Sequence, residues 1–152
     1  MPFVSPPKIS SPPVVILLVE DDDDDVLLIS KTFKTDVVRS QLFRVEDGVQ
    51  AIEFLRRQGQ FADAPRPDLI LLDLNMPRKD GREVLKEIKE DVDLRLIPVV
   101  VLTTSESESD ILASYNYHAN SFISKPLDLV EFRQVLAAIR EYWFSIVKLP
   151  RS

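Results

Sequence analysis

The sequence predicts a doubly wound α/β domain, with five parallel strands in one sheet and helices on both faces. Three observations predict it. Short runs rich in Val, Ile and Leu alternate with segments whose apolar residues recur every three or four positions. The runs are continuous rather than alternating with polar residues, as in strands buried on both faces, and strict alternation with helices implies parallel strands joined by right-handed crossovers. Finally, Glu20, Asp21, Asp73, Thr103 and Lys125 each fall where an apolar run ends. In such a sheet these positions share the carboxyl edge, where ligands bind near the topological switch point.

The elements follow in order. Residues 1–13 hold five of the eleven prolines and read as a mobile, polyproline-like tail. Val14 to Val19 is the first strand, followed by a helix with Val26, Leu27, Ile29 and Phe33 on its apolar side. QLFRVE, residues 41–46, is a weaker second strand; from Gly48 a helix places Val49, Ile52 and Leu55 at helical spacing up to a stop at Gly59. After the loop FADAPRP, Asp68 to Asp73 (DLILLD) is a buried strand ending in an acid, and the breaker-rich turn NMPRKDG leads to a helix with Val84, Leu85 and Ile88. Pro98 opens a fourth strand, PVVVLTT, and SESESD introduces a fourth helix around Ile111, Leu112 and Tyr115. The short strand SFIS ends at Lys125 and Pro126, and Asp128 is placed to cap a last helix with Phe132, Val135, Leu136, Ile139 and Trp143 on one stripe. The domain is expected over residues 14–144, with 145–152 extending the last helix into a tail.

Composition narrows the function. Apolar residues make up 45% of the 152 and charged residues 29%, a mix that supports one hydrophobic core. A net charge of −6 without a block of Lys and Arg argues against nucleic acid as a partner. The absence of cysteine excludes disulfides, thiolate nucleophiles and cysteine zinc sites. Apolar runs fall far short of the roughly 20 residues that span a bilayer, and the first residues lack the pattern of a signal peptide, so no membrane association and a cytoplasmic location are expected.

At the strand ends, three carboxylates brought together repel one another. At about 4 Å and an effective dielectric near 20, a pair costs roughly 4 kcal/mol. A divalent cation relieves this, and carboxylate, carbonyl and water ligands suit Mg²⁺. A carboxylate can itself attack phosphorus to form an aspartyl phosphate. Asp73 is the best candidate because it follows the apolar run LILL; Lys125 and the Thr103 hydroxyl would offset the transferring charge.

The motifs ILLVEDD, DLILLDLNMPRKDG, PVVVLTTSES and FISKP, in this order from about Val14 to Trp143, resemble the receiver domain of two-component response regulators. The resemblance implies a flavodoxin-like strand order 2-1-3-4-5. It implies that Asp73 is the phosphoacceptor and that Asp21 ligates the metal directly, Glu20 through water and Asn75 through its backbone carbonyl. It further implies that Thr103 is the switching hydroxyl, Lys125 the cation, Phe122 the switch aromatic and Lys125–Pro126 a cis peptide bond. Phe122 stands where many receivers carry Tyr, so packing would carry the signal. Thr104, next to the switch hydroxyl, is bulkier than is common there and is expected to restrict water and lengthen the phosphorylated lifetime.

The stretch TTSESESDILASYNYHANSFISKPLDLVEF, with the loop FADAPRP and no output domain, is similar to the small response regulators that serve cyanobacterial and bacterial phytochromes. It implies a sensor histidine kinase, a phytochrome, as phosphodonor. Independently, apolar residues past the usual domain end (Tyr142, Trp143, Phe144, Ile146) suggest a homodimer through the last helix. On the helical stripe Tyr142 and Ile146 lie beside Val135 and Ile139, and Phe144 falls off it.

Other readings are weaker. A haloacid-dehalogenase-type phosphatase also uses a strand-end Asp and Mg²⁺, but needs an acid two residues later, where this chain has Asn75. An unphosphorylated pseudo-receiver scaffold would not fill all five positions. Asp23 to Asp25 read as a solvated helix start, and His118 as a surface or packing residue. The protein is expected not to be an enzyme, beyond gaining and losing its own phosphoryl group.

Overall fold

The computed structural model describes residues 13–34, 39–76, 78–104, 111, 115, 119 and 121–146. Five strands, β1 (Val14–Val19), β2 (Ser40–Val45), β3 (Leu69–Leu72), β4 (Val99–Thr103) and β5 (Ser121–Ser124), form one parallel sheet in the order β2-β1-β3-β4-β5. The flavodoxin-like order 2-1-3-4-5 is therefore present. Among the described residues the α-helices with both ends in view are α1 (Asp23–Phe33), α2 (Gly48–Leu55), α3 (Gly81–Glu90) and α4 (Leu129–Glu141). Ile111 and Tyr115 are helical, as expected of the segment after β4; Leu112 and His118 lie outside the described residues, as do residues 1–12 of the tail and 147–152 of the extension.

The continuous apolar runs are explained by two cores. Side chains alternate across each strand, so Leu17, Val19, Ile70, Leu72, Val99 and Val101 face one side and join Ile52, Phe54, Val84, Leu85 and Ile88 from α2 and α3. Ile16, Leu18, Leu69, Leu71, Val100 and Leu102 face the other and meet Ile29, Phe33, Phe132, Leu136, Ile139 and Trp143 from α1, α4 and the turn beyond it. Nearly every residue of β1, β3 and β4 is buried as a result.

Each helix begins on an acid. Asp22, Asp47, Asp80 and Asp128 cap α1, α2, α3 and α4 by accepting backbone N–H bonds. Their carboxylates follow strand ends directly or by a short loop, so helix entry and the carboxyl edge are built from the same residues.

Three local expectations need correction. Leu27 is mostly exposed, and its neighbour Leu28 packs on the core with Val26, because Ile29 and Phe33 fix the buried face of α1. All peptide bonds among the described residues are trans, including that before Pro126, the isomer preferred for X–Pro bonds by about 0.5–1 kcal/mol. The last helix does not continue its stripe: α4 ends at Glu141 and a wider π turn spans Tyr142–Ile146. That change of pitch buries Trp143 and packs Phe144 edge-on against Phe33 at 5.7 Å, while Tyr142 is half exposed. Trp143 thus belongs to the core of the single chain, and Phe144 packs against it.

Candidate functional site

Register brings the polar strand ends together. Val19 pairs with both Val45 and Leu72, so Glu20 and Asp73 leave adjacent strands at the same level; Asp73 N–H still donates to Val19 O at 3.0 Å and Glu20 N–H to Val45 O at 3.1 Å. One strand over, Thr103 pairs with Ser124, and Lys125 N–H donates to Thr103 O at 2.9 Å. These four side chains converge and are nearly excluded from solvent.

Their contacts are direct. Thr103 Oγ1 donates to Asp73 Oδ1 at 2.7 Å, and the same Asp73 oxygen accepts from Asn75 N–H at 3.1 Å. Asn75 Nδ2 donates to Thr103 Oγ1 at 3.3 Å, which holds the hydroxyl's lone pair while its proton points at Asp73. Lys125 Nζ donates to Glu20 Oε1, to Asp25 Oδ2 at 3.0 Å and to Asp73 Oδ2 at 3.4 Å. Behind the acceptor, a Cβ at Gly81 would come within 2.3 Å of Asp73 O, so only glycine lets α3 start this close to the strand end.

Carboxylate oxygens of Glu20, Asp21 and Asp73 lie within 4.8 Å of one another. Glu20 and Asp73 are buried and Asp21 is exposed, leaving a wet side for water ligands. Burial pushes Glu20 up to about 9, assisted by a proton shared with Asp73 and opposed by Lys125. Burial would also raise Asp73, but the hydrogen bond from Glu20, the Lys125 charge and the Thr103 hydroxyl outweigh it and hold Asp73 below the usual carboxylate range. Lys125 is raised because its acidic neighbours overcome its burial. Glu20 Oε2 is buried without a donor directed at it among the described residues. Such an oxygen needs either a proton or a cation, and with two further oxygen ligands at hand the donor set fits a hard divalent ion.

Two participants escaped the sequence reading. Asp25 is not merely a solvated helix start: it lies one turn after Asp21 and reaches Lys125. Arg44, on β2, donates through Nε to Glu20 O at 2.9 Å and through Nη2 to Asp21 O at 3.1 Å and Asp23 Oδ1 at 2.8 Å. It clamps the acidic loop from the neighbouring strand, and only the β1–β2 register reveals that. Phe122 is partly buried and packs against the core on the α2–α3 side.

Comparison with known proteins decides the family. Residues 16–137 match the response regulator receiver domain. The chain belongs to that family. Response regulator Rcp1 of Synechocystis is 48% identical over 125 residues, which are 82% of this chain and 85% of the relative. Among solved structures, the Mn²⁺-bound form of Rcp1 superposes with a TM-score of 0.89 at 47% identity, covering 91% of this chain and all of the other. The phosphorylated cyanobacterial phytochrome response regulator RcpA gives the same score and identity over 92% of this chain and all of that one. This receiver is thus a response regulator of two-component signalling, and the haloacid-dehalogenase reading falls away. None of its described helices is long and apolar enough to cross a membrane.

Proposed function

We propose that this receiver is a single-domain phosphorylation switch in which Asp73 accepts a phosphoryl group from a sensor histidine kinase. The observation that carries the proposal is the surround of one carboxylate: Asp73 receives the Thr103 hydroxyl on one oxygen and faces Lys125 on the other. An Asp73 oxygen attacks phosphorus in line, the phosphorus–nitrogen bond of a phosphohistidine breaks, and its electron pair leaves with the imidazole nitrogen. Held below the usual range, Asp73 is already ionised for attack. Water later cleaves the acyl phosphate, returning the carboxylate and inorganic phosphate.

Glu20, Asp21, Asp73 and the Asn75 carbonyl would hold Mg²⁺, which supplies charge neutralisation at the phosphoryl oxygens when bound. The chain's own residues do the rest. Thr103 and Lys125, now engaged with Asp73 and, in the case of Lys125, with Glu20 and Asp25, turn to the phosphoryl oxygens once they are present, and Phe122 moves into the space that Thr103 vacates. The phosphorylated and Mn²⁺-bound relatives support both parts of this reading. The likeness to a phytochrome response regulator supports a phytochrome as the kinase, acting in the cytoplasm. Self-association through the last helix would use Tyr142, which is half exposed at its end; the side chain of Ile146 lies outside the described residues.

Incubation with acetyl phosphate and Mg²⁺ followed by intact-mass measurement tests the acceptor. The wild type gains one phosphoryl group and Asp73→Asn gains none. Uptake by the variant, or by another side chain of the wild type, overturns the assignment.

A further inference from the structure

Among the described residues, five polar side chains are buried, and the reaction above uses four of them. The fifth is Asp47, two residues past β2 and at the entrance of α2. One oxygen, Oδ1, caps the helix by accepting from Gln50 N–H at 2.9 Å; the other, Oδ2, lies 3.1 Å from Arg78 Nη1. Capping requires only an oxygen, and Asn or Ser would serve. A buried charge is left to the ion pair.

Arg78 sits in the loop between Asp73 and α3, the loop that carries Asn75. It adopts φ +64°, a left-handed conformation that costs a side-chain-bearing residue free energy and is kept where surrounding contacts hold it. The loop is also pressed against α2: a Cβ on Gly48 would come within 2.3 Å of Lys79 O and 2.7 Å of Lys79 Cβ. Lys79 in turn pairs with Glu87 of α3. The loop is therefore pinned from both sides, to α2 through Arg78 and to α3 through Lys79, with Asn75 just upstream.

We infer that Asp47 and Arg78 are positioning residues for the phosphorylation site: their ion pair holds the Asn75 loop in the conformation that completes the cation site beside Asp73. This rests on the reading of Asp73 as acceptor and of Asn75 as a backbone ligand. The pair touches neither phosphorus nor the ion. It acts by restricting the loop, as outer partners of metal ligands do. It also ties α2 to the state of the site.

The test measures Mn²⁺ binding directly, from the loss of the free-ion electron paramagnetic resonance signal, together with phosphoryl uptake from acetyl phosphate. Arg78→Ala and Asp47→Asn each weaken Mn²⁺ binding by about tenfold, within the range seen for lost outer-shell partners, and the double variant is no weaker than either alone. Asn keeps the helix cap, so the thermal midpoint of Asp47→Asn stays near that of the wild type. Arg78→Lys restores most of the affinity. At saturating Mn²⁺ the uptake rate of Arg78→Ala recovers towards that of the wild type. Wild-type Mn²⁺ affinity in Arg78→Ala, or additive losses in the double variant, overturns the inference. Asp73→Asn separates the two readings: if it still takes up phosphoryl, the acceptor assignment fails; if it does not and Arg78→Ala binds Mn²⁺ normally, only the loop assignment fails.

Discussion

The two ends of the same sheet are built on opposite terms. Along their middles the strands bury aliphatic side chains on both faces, and the segment entering β3 at the amino edge uses its acid for stitching: Asp68 Oδ2 accepts from Val15 N–H at 2.8 Å. At the carboxyl edge every strand contributes one buried polar residue: Glu20 after β1, Asp47 after β2, Asp73 after β3, Thr103 ending β4 and Lys125 after β5. Burial of charge there costs free energy that the aliphatic layers offset. The fold tolerates a cluster of mutually repelling acids because its stability is drawn from a different part of the same strands.

If that division holds, core and edge substitutions have opposite signatures. Leu71 is fully buried in β3, two residues from Asp73. Leu71→Ala removes that packing and costs about 3 kcal/mol, which lowers the thermal midpoint by about 6 to 12 °C for a chain of this size. Its phosphoryl uptake, measured well below that midpoint, stays close to wild type. Asp73→Asn does the reverse: it abolishes uptake but leaves the aliphatic packing intact, so its midpoint falls less than that of Leu71→Ala even though the ionised carboxylate's contacts with Lys125 and Thr103 are weakened. Calorimetry and intact mass on the two variants check this. Equal loss of stability in both would break the division.

The division also explains what was legible in the sequence. Parallel strands buried on both faces have to be continuous apolar runs, so β1, β3 and β4 stand out, and an acidic, basic or hydroxyl side chain at the end of a strand run lies at the edge. That made Glu20, Asp73, Thr103 and Lys125 recognisable. Contacts made across the register were not legible: Arg44 on the acidic loop, Asp25 on Lys125 and Arg78 on Asp47 join residues 21 to 100 positions apart or sit on a helix start that looks merely solvated. The turn after α4 was missed because a regular helical stripe was extended past Glu141, where the pitch changes.

A sharper test of the edge uses pH and cation together. Glu20 is pushed up from about 4.5 to about 9 in the folded, cation-free protein. Between those values the folded state binds a proton that the unfolded chain does not, so stability falls as pH rises through the window. Asp73, held low, contributes stability that is lost only under more acidic conditions, and Lys125, held high, loses its contribution only under more alkaline ones. Near neutrality Glu20 therefore sets the slope. A divalent cation replaces its proton, so the rise in thermal midpoint caused by Mg²⁺ grows from about pH 6 to about pH 8. Glu20→Gln flattens the cation-free slope. A Mg²⁺ effect that shrinks with pH counts against the site.

The smallest expected effect lies just outside the buried cluster. Thr104 is exposed and borders a cleft of about 310 Å³ shared with Asp25, Leu129 and Lys125, the last of which reaches Asp73. Water that hydrolyses the acyl phosphate has to approach phosphorus opposite the Asp73 oxygen, and a β-branched side chain at the rim narrows that approach without touching the acceptor. Thr104→Ala shortens the phosphorylated half-life about two- to fivefold, equivalent to about 0.4 to 1 kcal/mol of barrier. Phosphoryl uptake and thermal midpoint are unaffected, since the residue neither ligates nor packs in a core. Decay of the phosphorylated form, followed by intact mass after removal of acetyl phosphate, measures it. An unchanged half-life would mean that access is controlled by Asn75 and Lys125 within the buried edge, and the boundary between chemistry and surface would then lie one residue further in.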